Sequence, residues 1–303
     1  MTTAAALATL AESSPSLRPT LQSVARAAST DAPILILGEA GSGRSTLART
    51  LHQASARAHG PLVEIDIGLI PSTLFESEFF GHRVGAFTGA ETSVEGKVLQ
   101  AEGGTLLLDH VEEIPVASQP KLLRLLSEQR FTPLGGTDTR SNVRFLGIGS
   151  EDLPQRVTRG TFRKDLFYRL EVVTVRLPPL RQRKEDLDPL LESFLADLQV
   201  RFGVGRLEIS AAARAWMAEY SWPGNLRELK NVLERAVILQ GGGALDPPGP
   251  SEGHGGPESL LEVEKRQIIR ALAHTRGHQG RAAEVLGISR KTLWEKRRRY
   301  GIP

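Results

Sequence analysis

Pro33-Ile34-Leu35-Ile36-Leu37 runs into Gly38-Glu39-Ala40-Gly41-Ser42-Gly43-Arg44-Ser45, and the reading of this stretch decides the fold. A short unbroken apolar run that stops at a glycine reads as a strand buried on both faces, the habit of parallel sheets. The glycines let the backbone turn tightly, and Thr46-Leu47-Ala48-Arg49-Thr50-Leu51 then has helical spacing. Strand, glycine-rich loop and helix in that order aim backbone N–H groups and a helix N-terminus at one spot, which favours an anion. The spacing fits a phosphate-binding loop, with Gly38 to Ser45 as the residues that would hold a nucleotide. One position departs, because Arg44 stands where that loop has lysine. A guanidinium is larger, planar and forked where lysine is a compact point charge, so the change predicts weakened rather than abolished nucleotide binding. Ser45 keeps the hydroxyl that such loops place on Mg2+.

Working outward, Leu62-Val63-Glu64-Ile65-Asp66-Ile67 alternates and reads as a second strand. Thr105-Leu106-Leu107-Leu108 is an apolar strand ending in the carboxylate of Asp109, and Val143–Ile148 and Val172–Leu177 read as two more. A periodic helix over Gln119–Gln129 carries Leu122, Leu123, Leu125 and Leu126 as its stripe. Strands alternating with helices predict an α/β fold in three layers around a parallel sheet. Helical patterns continue from Glu185 to about residue 240. Residues 241–257 are rich in glycine and proline and read as a flexible linker. Leu260–Leu272 has helical spacing again. In the following stretch, small Ala283, a turn at Gly287, apolar Ile288 and a Ser289 cap before a basic helix are helix-turn-helix features. That pattern puts Arg290 and Lys291 where base edges of double-stranded DNA are read, with Ser289, Thr292, Trp294 and Lys296 as further DNA-binding candidates.

The chain has no cysteine, which excludes disulfides and thiolate metal sites and suits a reducing cytoplasm. Met1–Ala25 lacks a basic start followed by an apolar core, so it does not read as a signal peptide. No apolar run approaches the roughly 18 residues that a membrane span needs, so no membrane partner is expected. A net charge of +3 is too small to argue for nucleic acid by itself. Its distribution says more, since Lys291, Lys296, Arg297, Arg298 and Arg299 cluster near the C-terminal end.

Between the second and third strands lies Gly85-Ala86-Phe87-Thr88-Gly89-Ala90, where two glycines flank Phe-Thr in a loop that would present an exposed ring. With the preceding Glu76-Ser77-Glu78-Phe79-Phe80-Gly81-His82, this hexamer resembles the sigma-contact loop of sigma-54-dependent transcriptional activators. The resemblance extends from about Ser13 to Ile302. It implies an AAA+ domain over 10–240, with a large α/β part to about 180 and a helical lid from about 185. A Fis-like helix-turn-helix domain would then occupy 258–303. It further implies sigma-54 RNA polymerase as a partner touched by Gly85 to Ala90, ATP and Mg2+ as cofactors, and assembly into a ring, usually a hexamer. Ser45 and Asp109 match the magnesium-holding positions, and Arg227 the sensor facing its own subunit's nucleotide. Arg163 and Arg169 match the arginines that reach a neighbour's γ-phosphate. With so little chain before residue 10, regulation is expected from expression, a partner or the promoter rather than from a sensing domain.

The same resemblance marks four departures in the nucleotide site. Arg44 replaces lysine, and His110 replaces the glutamate that activates water. Gly149-Ser150 replaces Thr-Asn, with only Ser150 keeping a hydroxyl for a phosphate or water. Asp66 replaces an asparagine that contacts the glutamate. The changes at Asp66 and His110 fall on residues expected to touch, and two readings stand. The two form a carboxylate–imidazole pair beside Asp109 that substitutes as a base, or both changed after hydrolysis ceased to matter. The second reading predicts a mixed ring, in which a competent paralogue hydrolyses ATP and this chain contributes arginines, loop and DNA binding. The alternative function is a non-catalytic regulator that competes for activator sites on DNA. A helicase-loader class would share the phosphate loop and basic tail but has no use for the hexamer.

Overall fold

The computed structural model describes residues 3–247, 264, 268, 271–272, 275 and 278–300. The chain divides into two compact units, residues 1–247 and 248–303. In the first, β1 (Ile34–Gly38), β2 (Leu62–Asp66), β3 (Thr105–Asp109), β4 (Arg144–Gly149) and β5 (Val173–Leu177) form one sheet. All neighbours are parallel, in the order β2-β3-β4-β1-β5. Alternate side chains serve opposite faces. Leu35, Leu37, Leu106 and Leu108 join one core with Phe75, Phe79 and Leu122, while Ile34, Ile36, Leu107 and Ile148 join another with Val24, Leu47 and Leu51. The fold is therefore the three-layer α/β arrangement that the apolar runs predict.

The parallel register sets Leu37 at the end of β1 beside Gly149 at the end of β4, and Asp66 beside Asp109. Strand ends thus gather the glycine-rich loop, Asp109 and Asp66 at one edge of the sheet, where open α/β folds bind ligands.

A third core, built from Leu187, Leu191, Phe194, Met217, Trp222, Leu229 and Leu233, belongs to the lid helices Leu187–Phe202, Ala211–Glu219 and Asn225–Gln240. Here the expected linker needs correction. Gly243–Leu245 pairs in parallel with Leu207–Ile209, Leu245 is fully buried, and the Gln240 side chain bonds both backbone groups of Asp246. Glycine content suggested a linker from 241, but that segment closes the lid. Residues 248–257, and most of Leu260–Leu272, lie outside the described residues. At the other end, the Ala-rich start forms a helix, Thr3–Ser13, whose Leu7 enters the core, so the unit begins before residue 10.

The hexamer projects between two short antiparallel strands, Gly81–His82 and Val94–Glu95. These approach so closely that a Cβ at Gly96 would lie 2.3 Å from the Gly81 nitrogen, which only glycine tolerates. In the second unit, helices Gln279–Val285 and Arg290–Tyr300 flank a turn at Gly287 (φ +65°) and bury Ala282, Ala283 and Leu293 with Ile268 and Ala271. Among the described residues, no helix is long and apolar enough to cross a membrane.

Candidate functional site

A cleft of about 640 Å³ is lined by Ala40 to Thr46, Asp66, Asp109, His110 and Arg227, with Leu10, Leu17, Leu190 and Phe194 supplying an apolar wall. Gly43 takes φ +103° and starts the helix Arg44–Gln53 directly behind the loop. Arg44 is buried, and its Nη1 donates to the carbonyl oxygens of Gly38 at 2.8 Å and Gly149 at 2.6 Å. The guanidinium thus sits under the loop and ties β1 to β4, where a lysine would extend toward phosphates. Gly149 takes part through its carbonyl. The Ser150 hydroxyl donates to the Asp152 carboxylate and its N–H to Glu112 Oε2 at 3.2 Å. The Ser150 hydroxyl, expected to be available to a phosphate or water, is here engaged by Asp152.

Lid and loop are joined by residues that sequence reasoning passed over. Asn225 is fully buried at φ +51°. Its Nδ2 donates to Glu39 Oε2 and to the Ala40 carbonyl, both at 3.1 Å, and its Oδ1 accepts from the Leu180 N–H at 2.8 Å. The Leu226 N–H donates to the Gly41 carbonyl at 3.0 Å, and a Cβ at Gly41 would lie 2.4 Å from the Gly224 oxygen. Arg181 grips both oxygens of Glu39 at 2.8 and 2.5 Å. That grip, reinforced by Asn225, holds the Glu39 carboxyl down at about 2. Buried Arg183 donates to the Ser42 carbonyl at 2.5 Å and lies 3.9 Å from buried Asp186, and burial pushes its pKa down. The available signal was the turn Trp222-Pro223-Gly224-Asn225, where a small polar side chain at positive φ bonds nearby backbone. Arg227 is exposed on the cleft wall.

Asp66 and His110 do meet. His110 Nδ1 is 2.8 Å from Asp66 Oδ1, which also accepts from the Gly68 N–H at 3.0 Å. The His110 N–H donates to Asp109 Oδ1 at 2.9 Å, and the residue holds φ +56°. That backbone region is uncommon for a side chain of this size and is seen at sites where strain is tolerated for placement. Ser45 and Asp109 face the same cleft, offering the hard oxygen donors that Mg2+ accepts alongside phosphate oxygens and water.

Neither candidate arginine lines its own chain's cleft. Arg163 is exposed and paired bidentately with Asp165 at 3.0 and 2.7 Å. Arg169 donates through Nε and Nη2 to the Leu126 carbonyl at 3.1 and 3.0 Å, satisfying the last turn of helix Gln119–Glu128. In Gly85 to Ala90, the Gly85 N–H donates to the Ala90 carbonyl at 2.9 Å and closes the loop. Phe87 is 43% exposed, Thr88 and Gly89 are exposed, and Ala86 packs on Gly135.

In the second unit, Ser289 Oγ accepts from the Thr292 N–H at 3.0 Å, the expected cap. Trp294 is 54% exposed with the Arg298 guanidinium 5.6 Å above its ring. The Arg290 guanidinium lies over Gly280, where a Cβ would be 2.2 Å from Nη2. Lys296, expected on DNA, is paired with Glu264 at 2.5 Å. Lys291 lies in the same helix, and its side chain is outside the described residues.

Three family models match the chain. The sigma-54 interaction domain matches residues 10–176, the AAA+ ATPase lid domain 181–248, and the bacterial regulatory protein, Fis family, 259–300. The alginate biosynthesis transcriptional regulatory protein AlgB of Pseudomonas aeruginosa is 43% identical over 300 residues, covering 95% of this chain and 67% of the relative. The C4-dicarboxylate transport transcriptional regulatory protein DctD of Rhizobium meliloti is 43% identical over 290 residues, covering 94% of this chain and 62% of the relative. Among solved structures, NtrX from Brucella abortus in complex with ATP matches at TM-score 0.69 and 32% identity, covering 93% of this chain and 67% of that one. The chain thus spans about two thirds of the length of these relatives.

Proposed function

This chain belongs to the sigma-54 activator family, and from that premise we propose a sigma-54-dependent regulator whose own nucleotide site binds ATP with Mg2+ but turns it over slowly. Its helix-turn-helix domain binds promoter-upstream DNA, and Gly85 to Ala90 touches sigma-54 RNA polymerase in the cytoplasm. Remodelling then draws on a ring, six-membered in the family pattern, in which a competent paralogue hydrolyses ATP. Arg163, exposed and paired to Asp165, supplies the trans-acting guanidinium, and Arg169 braces the helix behind it.

The observation that carries this reading is Arg44. Its charge is spent on two carbonyls of its own chain, so the position that should neutralise transferring phosphate is occupied internally. The test is phosphate release by the purified chain alone and mixed with a family member that has lysine and glutamate at these positions. Slow release alone and stimulation in the mixture are expected. Fast release alone, abolished by His110→Ala, would overturn it and favour the substitute-base reading, in which the 2.8 Å Asp66–His110 contact orients the imidazole. A regulator that merely occupies DNA sites leaves the exposed Phe87-Thr88 tip unexplained. It predicts an unchanged phenotype in Thr88→Ala, whereas the proposed function predicts lost sigma-54 binding with DNA binding preserved.

A further inference from the structure

The backbone bonds of the hexamer close its base but do not orient the ring at its tip. Among the described residues that ring meets one other, 5.0 Å away and tilted 60°, the imidazole of His82. His82 is itself held, since its Nδ1 lies 2.8 Å from Ser77 Oγ on the helix Phe75–Phe80. This short helix is a stiff support. Phe75, Phe79 and Phe80 are buried with ring centroids 5.1 and 4.8 Å apart in succession. Glu76 accepts from Ser118 Oγ at 3.1 Å and Lys121 Nζ at 2.6 Å, on the segment that leads away from His110. Adjacent residues of one helix therefore face two ways, Glu76 toward Ser118 and Lys121 and Ser77 toward His82.

We propose that His82 is a positioning residue for the sigma-54 contact: fixed by Ser77, its ring sets the direction in which Phe87 is presented. This rests on the reading that Phe87 belongs to that contact. Phe87 is 43% exposed, and a tilted ring pair is a directional interaction that an aliphatic contact is not. Movement of helix Phe75–Phe80 would then reach the loop tip through Ser77 and His82 rather than through the flexible glycines.

The experiment is a double-mutant cycle in the full chain, read as affinity for purified sigma-54, with DNA binding and thermal midpoint as folding controls. His82→Asn keeps a group able to bond Ser77 and removes the ring. It should weaken sigma-54 binding roughly fivefold, the size of one aromatic pair. Ser77→Ala, which frees the ring, should weaken it in the same direction. In a Phe87→Ala background, His82→Asn should cost nothing further, because its effect passes through Phe87. Equal losses with and without Phe87, or wild-type affinity in both His82→Asn and Ser77→Ala, would overturn the inference. If Phe87→Ala itself binds sigma-54 as wild type does, the contact reading falls first and takes this inference with it.

Discussion

Arg44 and Gly149 are 105 residues apart in sequence, yet the Arg44 guanidinium donates to the Gly149 carbonyl at 2.6 Å while also holding the Gly38 carbonyl. A cation fixed between two strand ends is a structural tie, and it separates what this position does for folding from what it does for nucleotide.

Arg44→Lys should therefore tighten nucleotide binding by about tenfold, because an ammonium on a flexible stem can reach phosphate and cannot bridge both carbonyls. Arg44→Ala should bind no better and should lose about 1–3 kcal/mol of stability, since two buried carbonyls lose their donor. Titration with a fluorescent nucleotide, alongside urea unfolding, separates the two effects.

Asp66 and His110 should act as a coupled pair. Placing glutamate at 110 while Asp66 remains would set two carboxylates about as close as the present 2.8 Å contact, so His110→Glu alone should destabilise the site and gain little turnover. Asp66→Asn/His110→Glu should raise phosphate release well above either single variant. Additive rates across the four proteins would show the two positions to be uncoupled.

The legibility of these features in the sequence tracks the range of the forces behind them. The strand and loop around Gly38 were legible because burial on two faces writes an unbroken apolar run. The Asp66–His110 contact was legible because two departures from the resembled family fell on positions that the resemblance marks as touching. The destination of the Arg44 side chain was not, since it depends on where the carbonyl at the end of β4 points, and no local pattern encodes that. Composition misled at Gly241–Leu245, where glycines serve a lid strand. Lys296 read as a DNA contact from its helix position, whereas its Glu264 partner comes from a distant turn of sequence.

Acid should loosen the lid. The Glu39 carboxyl is held at about 2, below its ordinary 4.5, by Arg181 first and Asn225 second. A lowered folded pKa means stability that is complete above about pH 4.5 and is lost as pH falls toward 2. Because the Glu39 side chain is 30% exposed, the effect should stay within about 1 kcal/mol. Glu39→Gln should be less stable than wild type at pH 6 and show a flatter fall between pH 4.5 and 2. Parallel curves for the two proteins would remove Glu39 from the coupling.

Asn225→Ala should cost more than Glu39→Gln, about 2–4 kcal/mol. It strips buried donors and acceptors from Ala40, Glu39 and Leu180 and forces a Cβ residue without a polar side chain to hold φ +51°. Calorimetry should show the loss. Protease sensitivity between residues 178 and 186, appearing only in this variant, would place the loosening at the lid junction.

Two residues of the helix Arg290–Tyr300 that sequence alone treats alike, Trp294 and Lys296, should differ in what they do for DNA. Trp294 is exposed, and Arg298 lies over its ring, so the pair offers DNA a preassembled apolar plate and a cation. Trp294→Ala should weaken binding to a specific site about tenfold and leave the salt dependence nearly unchanged, because no phosphate contact is removed. Lys296 is paired with Glu264 inside its own unit. Lys296→Ala should therefore lower the thermal midpoint of the domain while leaving the slope of log affinity against log salt intact. A slope reduced by about 1 in Lys296→Ala would instead show that Lys296 leaves Glu264 for a phosphate when DNA binds.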